Sequence, residues 1–204
     1  MKLKICGMKY VENIQKVAEL QPDYLGFIFY DKSKRNFEGV IPELPKKIKK
    51  VGVFVNEYLE IVVSLAQEYQ LEALQLHGDE TTDYIKEVKK HLPNIEIIKV
   101  FGIKDEFNFD VLKPYEAIVD FFLFDTKGKE RGGNGITFNW KVLENYNSTI
   151  PFFLSGGIGI EETQQVNEIL KTELPIYALD VNSKFETKPG LKSVKKLKKF
   201  QESF

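Results

Sequence analysis

Cysteine is nearly absent from this chain: Cys6 is the single one in 204 residues. One thiol cannot close an internal disulfide, so the composition carries no sign of an oxidising compartment. Histidine is almost as scarce. His77 has no second histidine or carboxylate at ligand spacing nearby, which argues against a metal site. Excess charge of one sign is also missing, with 29 basic residues against 30 acidic ones. That balance provides no basic field for nucleic acid and no acidic surplus to solvate a tail. No apolar run approaches the ~18 residues of a membrane span, and Met1-Lys2-Leu3-Lys4 leads only into a run of strand length, unlike a secretory leader. The expectation is a cytoplasmic globular protein without nucleic-acid or membrane partners. Its 204 residues, 43% of them apolar, suit one domain spanning 1–204.

What the chain does contain is a rhythm. Short runs rich in Val, Ile, Phe and Leu alternate with helical patterns. The runs are Leu3–Cys6, Tyr24–Phe29, Lys50–Val55, Leu71–His77, Ile95–Phe101, Phe121–Asp125, Pro151–Leu154 and Ile176–Val181. Helices are expected at Val11–Leu20, Leu44–Ile48, Glu57–Tyr69, Thr81–His91, Glu106–Tyr115, from Asn139, at Ile160–Leu170 and at Leu191–Phe200. Pro42 and Pro45 shorten the second, Pro114 interrupts the fifth, and Thr81 or Thr82 suits an N-cap. Near-continuous apolar strands between helices indicate a parallel sheet covered on its faces. Eight such units predict an α/β fold, a single-domain (β/α)8 TIM barrel. An open doubly wound sheet is the alternative, but Gly7 alone follows the first strand where that fold usually has a glycine-rich turn.

In a barrel, chemistry sits where strands end. Cys6 ends the first strand and Asp125 the sixth, after four large apolar residues. Asp125 is either a turn former or an acid whose pKa is raised by those neighbours. Leu154-Ser155-Gly156-Gly157-Ile158-Gly159 and Asp180-Val181-Asn182-Ser183 end strands seven and eight, the usual phosphate-gripping loops, and the helix after the glycines adds its dipole. His77 closes strand four at the same rim. Arg35, after strand two, has a fork suited to a ligand carboxylate. The segment Lys127–Gly135, within the long loop 126–137, is charged and glycine-rich, as in a flap or a plain solvated loop. The terminal lysines 192, 195, 196, 198 and 199 read as a solvated helix face.

These pieces, with Lys4-Ile5-Cys6-Gly7, Gly52-Val53-Phe54-Val55-Asn56, Leu74-Gln75-Leu76-His77-Gly78, Phe124-Asp125-Thr126 and Gly132-Gly133-Asn134-Gly135, occur in an order that resembles the phosphoribosylanthranilate isomerase family over essentially the whole chain. The resemblance implies a cofactor-free, metal-free Amadori rearrangement of N-(5-phosphoribosyl)anthranilate, the third step of tryptophan biosynthesis. It implies Cys6 as general base and Asp125 as general acid. Arg35, His77 and Asp180 would line the substrate pocket; Ser155, Gly156, Gly157, Asn182 and Ser183 would hold phosphate. The implied partner is a phosphorylated sugar-anthranilate, and the chain could be a monomer or a homodimer. Departures are Lys184-Phe185 where many relatives have Gly-Val, Asn139 where aspartate is frequent, and Ile136 for a common lysine. Another phosphoribosyl isomerase on the same barrel, or a phosphosugar-binding module without catalysis, would keep the glycines but would not need Cys6 and Asp125 together. Lys4, on the same inward strand face as Cys6, is expected to favour its thiolate.

Overall fold

A computed structural model describes residues 1–126 and 139–204. Eight parallel strands close a barrel in chain order: β1 (Lys2–Ile5), β2 (Tyr24–Ile28), β3 (Lys49–Phe54), β4 (Ala73–Leu76), β5 (Glu96–Ile103), β6 (Phe121–Thr126), β7 (Phe152–Leu154) and β8 (Ile176–Val181). β8 pairs back onto β1, with Lys4 opposite Asp180, so the barrel strands leave no open edge.

The two-residue strand period sorts the apolar side chains into two cores. Tyr24, Val51, Ala73, Ile98, Phe121, Leu123, Phe153 and Ala178 fill the barrel itself. Leu25, Phe27, Leu74, Ile97, Phe122, Phe124 and Leu154 point outward and pack under the surrounding layer. The inward rows continue upward in the same register. Lys4 leads to Cys6, Ala73 to Gln75 and His77, Leu123 to Asp125, Phe153 to Ser155, and Ala178 to Asp180. The alternation that fills the lower barrel with hydrocarbon thus sets polar groups at its C-terminal mouth.

The outer layer contains α1 (Val11–Ala18), α2 (Leu59–Glu68), α3 (Thr82–His91), α4 (Thr163–Ile169) and α5 (Val194–Gln201). Each buries an apolar stripe, as α1 does with Ile14, Val17 and Ala18. Thr81 caps α3 by accepting a 3.2 Å bond from the Tyr84 amide.

Five expected helices differ. Residues 44–48 form only a turn, the Ile48 amide reaching the Pro45 carbonyl, because Pro42 and Pro45 disfavour helical backbone at Ile41 and Leu44 before them. After β5 and β6 the chain winds as 3₁₀ helix, over Phe109–Tyr115 and Trp140–Asn145; Pro114 lies inside the first. α4 starts at Thr163 rather than Ile160. Finally, Leu191 and Lys192 belong to an antiparallel hairpin, β9 (Glu186–Lys188) with β10 (Leu191–Lys192), turned by Gly190 at φ 82°. Lys192 is therefore buried, while Lys195, Lys196, Lys198 and Lys199 keep the solvated face expected of them.

Candidate active site

A chain of polar contacts crosses the barrel mouth and joins five strands. Lys4 Nζ donates to Gln75 Oε1 and to Asp180 Oδ1, both at 2.7 Å. Gln75 Nε2 lies 3.1 Å from His77 Nδ1, and His77 Nε2 lies 3.6 Å from Asp125 Oδ2, longer than a hydrogen bond. On the other side Ser155 Oγ donates to Asp180 Oδ2 at 3.3 Å. The network brings together Asp125, His77, Asp180 and Ser155 of the residues singled out from sequence, and adds Gln75. The signal for Gln75 was available: it sits two residues before His77, hence on the same strand face.

Asp125 is buried beside Gly156, where a Cβ would stand 3.3 Å from its Oδ1. Burial pushes its carboxyl up to about 7; the Thr126 amide, donating to Oδ1 at 2.8 Å, opposes this, and Asp180 adds to it. The direction is the one expected from sequence, with burial in the barrel mouth as its cause. Cys6 differs from expectation. Its thiol lies under Gly26, where an added Cβ would come within 2.8 Å of Sγ. Burial pushes the thiol up; Lys4 and Lys192 pull it down without cancelling that push, and Asp180 adds to it. Lys4 is the larger of the two cationic pulls, but burial of the thiol exceeds it. Burial is also the largest influence on the Lys4 ammonium and disfavours it, while Asp180 and Cys6 together raise Lys4 above its ordinary value.

The loops after β7 and β8 abut, since a Cβ at Gly159 would meet Lys184 Cβ at 3.0 Å. Gly156 and Gly157 adopt φ of 88° and 67°, the left-handed region that glycine enters without strain. α4 starts at Thr163, so Ile158 to Glu162 separate it along the chain from these glycines. Ser183 opens a 3₁₀ turn ending at Phe185. The Asn182 side chain is engaged: its Oδ1 accepts from Lys192 Nζ at 2.5 Å.

The departures find local roles. Phe185 is buried with its ring 5.0 Å from that of Phe200, Lys184 pairs with Glu162 at 3.4 Å, and Asn139 Oδ1 accepts from the Lys141 amide at 3.2 Å. Ile136 and the loop from Lys127 through Gly135 lie outside the described residues. Arg35 turns its fork onto Glu186, with Nε–Oε1 at 2.9 Å and Nη2–Oε2 at 2.7 Å. Glu186 also accepts from Lys192 at 2.7 Å, and together these cations hold its carboxyl below the usual range despite burial. No short-range pattern announces Glu186, which is 151 residues from Arg35.

Comparison with known proteins identifies the family of the chain. A family model described as N-(5'phosphoribosyl)anthranilate (PRA) isomerase matches residues 3–203. The N-(5'-phosphoribosyl)anthranilate isomerase of Thermoanaerobacter pseudethanolicus is 45% identical over 208 residues, covering 99% of this chain and 97% of its own. That of Parabacteroides distasonis is 40% identical, covering 98% and 91%. Among solved structures, the phosphoribosyl anthranilate isomerase of Thermotoga maritima superposes with a TM-score of 0.85 at 32% identity, covering 100% of this chain and 98% of that one. A phosphoribosyl anthranilate isomerase in complex with reduced 1-(o-carboxyphenylamino)-1-deoxyribulose 5-phosphate gives 0.82 at 30% identity, covering 100% and 97%. The chain belongs to the N-(5'-phosphoribosyl)anthranilate isomerase family.

Proposed function

We propose that the protein converts N-(5-phosphoribosyl)anthranilate to 1-(2-carboxyphenylamino)-1-deoxyribulose 5-phosphate for tryptophan biosynthesis, with Asp125 as general acid and Cys6 as general base. The observation that carries this reading is the pair itself. A carboxyl that keeps its proton to about pH 7 and the chain's one thiol stand on the inward faces of β6 and β1, in a barrel whose relatives act on this substrate. Asp125 gives its proton to the furanose ring oxygen; the C1′–O bond breaks as the anthranilate nitrogen forms a Schiff base at C1′. Cys6 as thiolate removes the C2′ proton, and the electron pair moves to the C1′–C2′ bond to give an enolamine. Return of a proton to C1′, with loss of the C2′ hydroxyl proton, leaves the ketone at C2′. The loops after β7 and β8 take the phosphate, with backbone amides around Gly156, Gly157 and Ser183 as donors, and Arg35 takes the anthranilate carboxylate. Holding both ends places C2′ against the base.

The pKa directions fix the pH profile. The working pair needs Asp125 protonated and Cys6 ionised, yet Asp125 titrates near 7 and Cys6 above its ordinary 9.0. The productive pair is then the minority of two one-proton states, and the bell's limbs exchange owners: the acidic limb near 7 follows Asp125 and the alkaline limb above 9 follows Cys6, as macroscopic values. The test is a direct assay of kcat/KM against pH. Turnover of phosphoribosylanthranilate with an acidic limb near 7 is expected. Cys6→Ala should abolish turnover while affinity for the reduced product analogue stays within about tenfold, roughly 1.4 kcal/mol. Near-normal turnover in that variant would remove Cys6 from the mechanism.

A further inference from the structure

Gln75 and His77 stand two residues apart at the end of β4, both facing the barrel mouth. Gln75 is almost completely buried, so both ends of its amide need partners. One end is decided by Lys4. The Lys4 ammonium has three protons and no acceptor, and they go to Gln75 Oε1 and Asp180 Oδ1, each at 2.7 Å, and to the Cys6 thiol. Only the carbonyl end of an amide can meet an ammonium. The Gln75 NH2 is therefore turned toward His77, with Nε2 3.1 Å from Nδ1. An NH2 group donates, so Nδ1 accepts, and the proton of the neutral imidazole belongs on Nε2.

That tautomer meets the acid. Asp125 Oδ1 is taken by the Thr126 amide at 2.8 Å, which leaves the acid's proton to Oδ2, the oxygen 3.6 Å from His77 Nε2. Two protonated atoms face each other there, in keeping with a separation longer than a hydrogen bond. We propose that Gln75 is a positioning residue that holds His77 as its neutral Nε2–H tautomer and so keeps the acid's proton on Asp125 for the substrate. With the opposite tautomer, Nε2 would accept the Asp125 proton and withdraw it from the furanose oxygen. Once Asp125 has passed its proton on and the C1′–O bond has broken, Oδ2 is a carboxylate oxygen, and the His77 N–H becomes its donor. The bond forms only on the charged side of the step, where it assists the chemistry. Among the described residues, the charged groups around His77 are Asp125 on β6, Lys4 and Asp180 behind Gln75, and exposed Asp79 in the following loop. On β5, Lys99 donates to the Leu76 and Gly78 carbonyls on either side of His77 and pairs with Glu80. The group at Nδ1 is the uncharged Gln75 amide. The proposal rests on the reading of Asp125 as the acid.

The chain has two histidines, His77 at the mouth and His91 at the end of α3, so the ring nitrogens of His77 can be assigned by nitrogen-15 NMR against a His91→Gln variant. In the wild type, Nε2 should carry the proton and Nδ1 should stay unprotonated from about pH 5 to about pH 8. Gln75→Met removes the NH2 donor, and His77 should then titrate near its ordinary value of about 6.5. Gln75→Glu replaces the donor by a second acceptor, which calls a proton to Nδ1. His77 should then be an imidazolium up to about pH 8, with Asp125 left ionised, and kcat at pH 7 should fall about a hundredfold. A merely structural role would lower stability in both variants without moving a proton between the ring and the acid. A proton on Nδ1 in the wild type, or a His77 titration unchanged in both variants, overturns the proposal. If Gln75→Glu does not fold, the wild-type tautomer and the Gln75→Met midpoint decide. The spectra are read without turnover. An active Asp125→Asn would therefore defeat the assignment of the acid and leave the tautomer result standing.

Discussion

Asp125 holds a proton at a measurable cost in stability. Folded, its carboxyl titrates near 7; unfolded, it returns to about 3.8. Between those values the folded state binds the proton and the unfolded state has lost it, so stability falls as pH rises through this window and levels off above it. The full effect is on the order of 4 kcal/mol. Asp125→Asn keeps the oxygen that accepts the Thr126 amide and removes the ionisation. The variant should match the wild type near pH 4 and exceed it by a few kcal/mol near pH 8. Urea midpoints across that range provide the check; a constant difference would mean that Asp125 ionises as freely in the fold as outside it. The mouth thus trades stability for a usable acid.

At the scale of elements, the rim on the β3–β5 side is tied by one buried carboxylate. Glu80 accepts from the amides of Asn56 at 2.8 Å and Gly78 at 2.9 Å, and pairs with Lys99 Nζ at 3.1 Å. Lys99 also donates to the Gly78 carbonyl at 2.8 Å, so the loops after β3 and β4 are stapled to β5. Glu80→Gln removes the carboxylate paired with the buried Lys99 ammonium at 3.1 Å. The expected loss is about 3 kcal/mol, or roughly 6–12 °C in Tm for a chain of this size. Calorimetry of the variant tests it, and an unchanged Tm would mean that the carbonyls around Lys99 suffice. The same logic explains why a sequence reading passes over this pair. Glu80 and Lys99 lie on different elements, and each alone reads as a surface charge.

The whole molecule separates stability from chemistry along the barrel axis. The lower end is an aromatic plug: Phe121 lies 4.3 Å from Tyr177 and 5.4 Å from Phe153, and Tyr24 meets Phe153 at 5.4 Å. The chemistry-bearing rows begin above it. Phe121→Ala should cost about 3 kcal/mol in urea titration while kcat stays within about twofold. A large loss of kcat in a folded variant would show that the plug sets the geometry of the mouth and does not merely support it.

Strand count, barrel closure, the strand-end positions of Cys6, His77, Asp125 and Asp180 and the shared inward face of Lys4 and Cys6 were legible in the chain, because a strand alternates sides every two residues and eight apolar runs of similar length have few ways to pack. Local chemistry was legible too: Thr81 as a cap and the prolines as helix breakers. What only the tertiary structure decided was where long side chains go. Lys4 meets Asp180 across 176 residues, and Arg35 meets Glu186 across 151. Lys192 is drawn inward from a stretch whose spacing reads as solvated helix, because a hairpin replaces the first helical turn. Periodicity assigns a residue to a face, but the net field at a thiol is a sum over charges brought together by chain closure, and no local window contains it.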